Sequence, residues 1–215
     1  MKLSSLSHPT FECLPNTMLP FHNILWKFML VLAWIAPACH GGGGGGGGGR
    51  YVRDACSVTI HQDLCIHSLA PFSNKAKNHP DRWARVGLSV TIRQVKAIAG
   101  SLSKLKSQGS LRGRSQIALG DCVECFEDAL DSLHRSLGVL RKLNAKNFTT
   151  QMGDVTTWMS AALTNEDTCL DGFGRPKRKK VRWLVNKVTN VSYLTSNALA
   201  LVNKLATTGP QCLHH

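Results

Sequence analysis

From residue 54 onward, apolar residues recur mostly three or four positions apart. Over residues 81–105 they are Trp83, Val86, Val90, Val95, Ile98, Leu102 and Leu105. The next segment gives Leu119, Val123, Phe126, Leu130, Leu133, Leu137 and Leu140, an unbroken alternation of steps of four and three. Met152, Val155, Met159 and Leu163 continue in a shorter stretch. Val181, Leu184, Val188, Val191, Leu194, Ala198, Leu201 and Leu205 form the last stripe and the cleanest. A period near 3.6 gathers each set on one face of a helix, which buries that face and leaves the polar remainder in water. No comparable run alternates with period two, so no sheet is expected.

The breaks between these stripes carry helix punctuation. Pro80-Asp81 opens the first, with an acid in the favourable first turn. Gly109, Gly113 and Gly120 loosen the link before or at the start of the second, and Asp171-Gly172-Phe173-Gly174-Arg175-Pro176 separates the last two. Four amphipathic helices with short connections predict an all-α, antiparallel up-down-up-down bundle. In such a bundle the helix carrying Cys122 runs to about Asn144, and the next returns from about Thr150 to Cys169. Those legs are ~33 and ~29 Å long, so Cys122 and Cys169 fall at the same end. A bridge between them closes a loop of ~50 residues and contributes ~4 kcal/mol in the chain-entropy account. Cys125, one turn along, is a competing partner, while Cys56 and Cys65 are near enough in sequence to staple a short helical turn or hairpin.

The first 53 residues read differently. Lys27, the nine apolar residues Phe28-Met-Leu-Val-Leu-Ala-Trp-Ile-Ala36 and the small-residue exit Ala36-Pro-Ala38 describe a secretory signal peptide over residues 1–38. The apolar run is far short of the ~20 residues that span a bilayer. Residues 39–53 contain nine consecutive glycines, Gly41 to Gly49, and read as a flexible low-complexity linker. A phosphate loop would need Lys-Ser/Thr and a helix at once, and Arg50-Tyr51-Val52 follows instead. The folded domain is expected over residues 54–207, with a tail at 208–215.

Export changes the meaning of the cysteines. Loss of Cys13 leaves Cys39, Cys56, Cys65, Cys122, Cys125, Cys169 and Cys212, which in an oxidising compartment read as disulfides before metal ligands. Seven is odd, so at least one thiol is free or pairs between chains. The sequons Asn147-Phe-Thr149 and Asn190-Val-Ser192 offer glycosylation sites in the same compartment.

Several stretches resemble the plant pectin methylesterase inhibitor / invertase inhibitor family. They are Cys56-Ser-Val-Thr-Ile-His-Gln-Asp-Leu-Cys65; Ala118-Leu-Gly-Asp-Cys-Val-Glu-Cys-Phe-Glu-Asp-Ala-Leu-Asp-Ser-Leu133; Asp154-Val-Thr-Thr-Trp-Met-Ser-Ala-Ala-Leu-Thr-Asn-Glu-Asp-Thr-Cys-Leu-Asp-Gly-Phe173; and Asn190-Val-Ser-Tyr-Leu-Thr-Ser-Asn-Ala-Leu-Ala-Leu201. The resemblance implies the four-helix bundle with an N-terminal helical hairpin extension, and the bridges Cys56–Cys65 and Cys122–Cys169. It implies a secreted cell-wall protein that binds pectin methylesterase one to one, lays three helices over the substrate cleft and makes or breaks no bond. Positions matching the family's contact motif are Glu124, Asp128, Asp131 and Thr168; the three acids share one helix face, off the core stripe. The invertase type is associated with a Pro-Lys-Phe element before the Cys122 helix, where this chain reads Leu111-Arg-Gly-Arg114. The wording around Trp158 and Thr195-Ser-Asn-Ala198 is more similar to the methylesterase type. Because the chain stops at His215, without room for a catalytic β-helix, a stand-alone inhibitor is expected rather than the pro-region of an enzyme.

Charge adds one element. Lys and Arg number 26 against 13 Asp and Glu among 215 residues, a formal net charge of +13, which favours polyanionic neighbours. The cluster Arg175, Lys177, Arg178, Lys179, Lys180 and Arg182 has the composition of a nucleic-acid patch, but in an exported protein de-esterified pectin is the fitting polyanion. No nucleic acid partner and, after signal cleavage, no membrane is expected. Neither an enzyme nor a cofactor site is expected: Cys122-Val-Glu-Cys125 has redox spacing but lies in an amphipathic helix, and the nine His residues are scattered. The rival readings are an acid invertase inhibitor and a non-inhibitory pectin-binding wall protein.

Overall fold

A computed structural model describes residues 48–174 and 178–213. The expected signal segment, most of the polyglycine run, Cys39, Arg175, Lys177 and the last two histidines lie outside these residues. Helix α1 spans Gly48–Cys56 and α2 spans Gln62–Leu69; a 3-10 turn, Ala70–Phe72, leads into the single turn α3, Ser73–Ala76. Four long helices follow: α4, Pro80–Ser107; α5, Arg114–Leu140; α6, Phe148–Phe173; and α7, Lys179–Thr208. A 3-10 turn, Pro210–Cys212, follows α7, and no strand occurs among the described residues.

The four long helices form the expected up-down-up-down bundle, in which α4 and α6 each pack against both α5 and α7. The alternating stripes are its core. Leu88, Leu102, Leu119, Phe126, Leu133, Met159, Leu184, Leu201 and Leu205 are fully buried, each worth about 1.5–3 kcal/mol on removal from water. Val86, Leu105, Leu130 and Leu163 lie at the stripe edges and are only half-buried. Phe126 is the largest fully buried side chain, and truncating it to Ala would cost roughly 3–5 kcal/mol.

The helix ends follow from local chemistry. Pro80 starts α4, where its missing N–H costs nothing, and the buried Asp81 pairs with Arg85 one turn on. Lys104 and Lys106 complement the dipole at the far end. Gly113 before α5 and Gly174 after α6 have φ of +60° and +53°, a left-handed conformation that strains other residues. Gly120 lies inside α5 rather than before it. That helix stops at Leu140, short of Asn144, and α6 begins at Phe148.

The N-terminal extension is also helical, and α1 begins within the stretch that glycine composition marks as linker. Burial explains the override. Val52, Ala55 and Cys56 pack with Cys65, Leu69, Ala76, Trp83, Val90 and Leu201 in a second core, so tertiary contact offsets the poor helix propensity of glycine. The Cys56–Cys65 bridge, with Cα atoms 5.8 Å apart, closes the turn between α1 and α2. Trp83 Nε1 donates to the Lys77 carbonyl at 2.7 Å, fixing the strand of chain that leads into α4. The hairpin is tied to α7 by Asn197, whose Oδ1 accepts from the His61 N–H at 3.2 Å and whose Nδ2 donates to the His61 carbonyl at 2.9 Å. Stacking of the His61 and Tyr193 rings, 3.7 Å between centroids, adds to the same joint.

Candidate functional site

Cys122 on α5 and Cys169 on α6 are buried and bonded, with Cα atoms 4.4 Å apart. The bridge therefore fixes the two helices in register at one end of the bundle. Cys125 is not a partner: it is the free thiol among the described residues, half-buried on α5. Burial pushes its pKa up, and the neighbouring Asp128, Asp121 and Glu124 carboxylates push it further. Because the thiolate is the nucleophile, that environment disfavours the reactive form. Cys212 is buried in the last 3-10 turn and is engaged in a bond of its own.

The face beside the bridge is acidic. Glu124, Asp128 and Asp131 all project from α5 into solvent, and so do Asp121 and Glu127. Five of the chain's 13 acids thus lie within three turns of one helix. Thr168 on α6, next to Cys169, is exposed too; its hydroxyl donates to the Thr164 carbonyl at 2.8 Å. The four positions matched to the family's contact motif are thus accessible on two neighbouring helices that a disulfide holds in register. Such a face has no bond-making chemistry. Its chemistry is charge complementarity with a basic surface.

The other expected sites divide. Arg178, Lys179, Lys180 and Arg182 are exposed where α7 begins, whereas Arg175 and Lys177 lie outside the described residues. Asn147 is exposed in the turn before α6 and Asn190 is exposed along α7, both open for a glycan. Leu111, in the connection that lacks Pro-Lys-Phe, is buried in the main core. Among the described residues no three His, Cys, Asp or Glu side chains gather as a metal site, and no helix is long and apolar enough to cross a membrane.

One site escaped the sequence reading. Glu166 on α6 is fully buried; its Oε1 accepts from the Thr195 hydroxyl of α7 at 2.8 Å, and its Oε2 has no partner. Burial raises its pKa to about 8, against the opposing effect of the Thr195 hydrogen bond and with a small further push from Asp167. Asp167 itself accepts from the buried Ser192 hydroxyl at 3.1 Å. The signal was present: Met152, Val155, Met159, Ala162, Glu166 and Cys169 are spaced three, four, three, four and three, so Glu166 stands on the core stripe.

Comparisons with known proteins agree with this geometry. The family model described as plant invertase/pectin methylesterase inhibitor matches residues 50–201. Pectinesterase inhibitor 6 of Arabidopsis thaliana is 49% identical over 162 residues, covering 74% of this chain and 77% of that protein. Pectinesterase inhibitor 9 of the same plant is 34% identical over 165 residues, covering 73% of this chain and 81% of its own length. Among solved structures, a mutant form of a pectin methylesterase inhibitor from Arabidopsis superposes with a TM-score of 0.59 at 24% identity, over 70% of this chain and 93% of that one. That likeness establishes the fold, and the sequence matches establish the kinship. The chain belongs to the plant invertase/pectin methylesterase inhibitor family.

Proposed function

We propose that the protein is a secreted inhibitor that binds pectin methylesterase one to one and occludes its substrate cleft, limiting pectin demethylesterification in the cell wall. The observation that carries this reading is the 49% identity to a relative named as a pectinesterase inhibitor. The exposed acids of α5 support the mode of action. Glu124, Asp128 and Asp131 lie on a rigid, stapled pair of helices, so a basic partner meets a preorganised surface and little entropy is lost on docking. Secretion, by the signal segment 1–38, places inhibitor and enzyme in the same compartment, and the disulfides suit that compartment. Within this reading the basic residues 175–182 hold the protein on acidic pectin.

The family description also covers invertase inhibitors; the missing Pro-Lys-Phe element argues against that target. Titration of the purified protein against a pectin methylesterase and an acid invertase separates the two. Loss of methylesterase activity at one equivalent, with invertase unaffected, is the expected result; full methylesterase activity at equivalence sinks the reading. Asp128→Lys is expected to weaken inhibition at least tenfold, about 1.4 kcal/mol or more, while circular dichroism stays unchanged. Undiminished inhibition by a folded Asp128→Lys protein removes α5 from the contact face.

A further inference from the structure

Four helix ends converge at the pole of the bundle that holds the Cys122–Cys169 bridge: the end of α4, the start of α5, the end of α6 and the start of α7. Arg178, Lys179, Lys180 and Arg182 are exposed there on α7, and Arg112 and Arg114 are exposed on the α4–α5 connection. The topology thus brings to one pole two basic segments more than sixty residues apart in sequence, at the starts of helices α5 and α7, which each pack against α4 and α6. Asp121, Glu124, Asp167 and Asp171 are the acids near the same pole, all exposed, and the six named cations outnumber them.

This charge does not serve the helices. Neither α5 nor α7 has an acid in its first turn, although a cation there opposes the helix dipole by ~0.3–1 kcal/mol. A helix start favoured for stability alone resembles that of α4, which carries Asp81. An aromatic side chain accompanies the cations. Trp183, one turn into α7, is 50% exposed, and Lys187 Nζ stands 5.9 Å from its ring centroid. An exposed indole beside a cationic row suits a linear chain of sugar acids, whose pyranose C–H faces lie on the ring while the carboxylates meet the cations.

We propose that this pole is a composite binding site for de-esterified pectin, a polymer of galacturonic acid. The consequence rests on the inhibitor reading above. Each ester hydrolysed exchanges a neutral methyl ester and water for a carboxylate, a proton and methanol. The enzyme's action therefore builds the polyanion that retains its inhibitor, and inhibition follows demethylesterification in place. The acids of the α5 face run from Asp121 away from the pole toward Leu140, so retention leaves Asp128 and Asp131, farther down the helix, for the enzyme.

The test uses the secreted protein, with polygalacturonate and fully methyl-esterified pectin as probes and polyglutamate as a charge control. Binding is measured across ionic strength for the wild type, K179Q/K180Q/R182Q, R112Q/R114Q and W183A, and each is titrated against a pectin methylesterase. The wild type is expected to bind polygalacturonate and not the ester, with affinity falling as salt rises. Each charge variant is expected to bind about tenfold more weakly with a shallower salt slope, and W183A more weakly with the slope unchanged. Inhibition is expected to persist in all three. Equal binding to both pectins, or unaltered binding by R112Q/R114Q, overturns the composite site. Equal affinity for polyglutamate together with no effect of W183A overturns its fit to sugar acids. Polygalacturonate binding by a protein that fails to inhibit upholds the site and removes the inhibitor reading instead.

Discussion

Glu166 is where a single side chain sets a condition on the whole fold. A fully buried carboxyl group with one oxygen unpartnered is tolerated far better while it keeps its proton. Its folded pKa of about 8 lies above the ordinary 4.5, so between those values the native state holds a proton that the unfolded chain releases. Stability then falls as pH rises. The contribution is intact below pH 4.5, declines through the interval and is gone above about 8, a loss on the order of a few kcal/mol. Through Glu166 the fold is more stable in acid than in weak base. Denaturant unfolding at pH 5 and pH 8.5 should show the wild type distinctly weaker at the higher value. Glu166→Gln keeps an acceptor for Thr195 and removes the titration, so its stability should differ much less between the two. An identical pH dependence in the variant would assign the effect elsewhere. Thr195→Val, which removes the donor, should cost about 1–3 kcal/mol, and more at pH 8.5 than at pH 5, because the hydrogen bond favours the charged form.

At the scale of elements, two joints hold the helices in place. Asn197 reaches from α7 to both backbone groups of His61, so Asn197→Ala leaves a donor and an acceptor unmatched at a part-buried joint. About 1–3 kcal/mol of hairpin docking should disappear, seen as faster amide exchange over residues 57–69 with the bundle core still protected. Exchange faster throughout would mean that hairpin and bundle unfold together. Replacing Cys122 and Cys169 by Ala together opens a 47-residue loop and should lower stability by ~4 kcal/mol, read as a shift in denaturant midpoint. These elements also mark what the sequence could reveal. The stripes of α4 to α7 were legible because packing against two neighbours demands one apolar face per helix; matched leg lengths put Cys122 and Cys169 at one end but left Cys125 as a rival, and only the family resemblance implied the pairing seen here. The start of α1 at Gly48 was not legible, because glycine is a poor helix former and only contact through Val52, Ala55 and Cys56 with the α4–α7 edge supplies the order. The partners of Asn197 and Glu166 were hidden for a related reason: although Glu166 stands on the core stripe, His61 and Thr195 lie 136 and 29 residues away from the side chains they meet.

Across the whole molecule the two charged surfaces differ in sign and in what they can do. The net charge is +13, yet five acids are concentrated on α5 while the row beginning at Arg178 opens α7. A uniformly basic inhibitor would be repelled by a basic enzyme, whereas a protein with a local acidic face is turned by the partner's field before contact. Steering of that kind acts on encounter and is screened over a Debye length, ~30 Å at 0.01 M salt and ~8 Å at 0.15 M. The association rate with a basic pectin methylesterase should therefore drop about tenfold or more over that range, while the dissociation rate changes little. Asp128→Lys combined with Asp131→Lys should flatten the salt dependence of association, and K179Q/K180Q/R182Q should leave it in place or steepen it, because removing repelling cations improves the approach. Stopped-flow or surface-binding kinetics at four or five salt concentrations read both effects. If the α7 variant rather than the α5 variant flattened the curve, the basic pole would be the enzyme-facing surface, and the roles assigned to the two charged surfaces would be reversed.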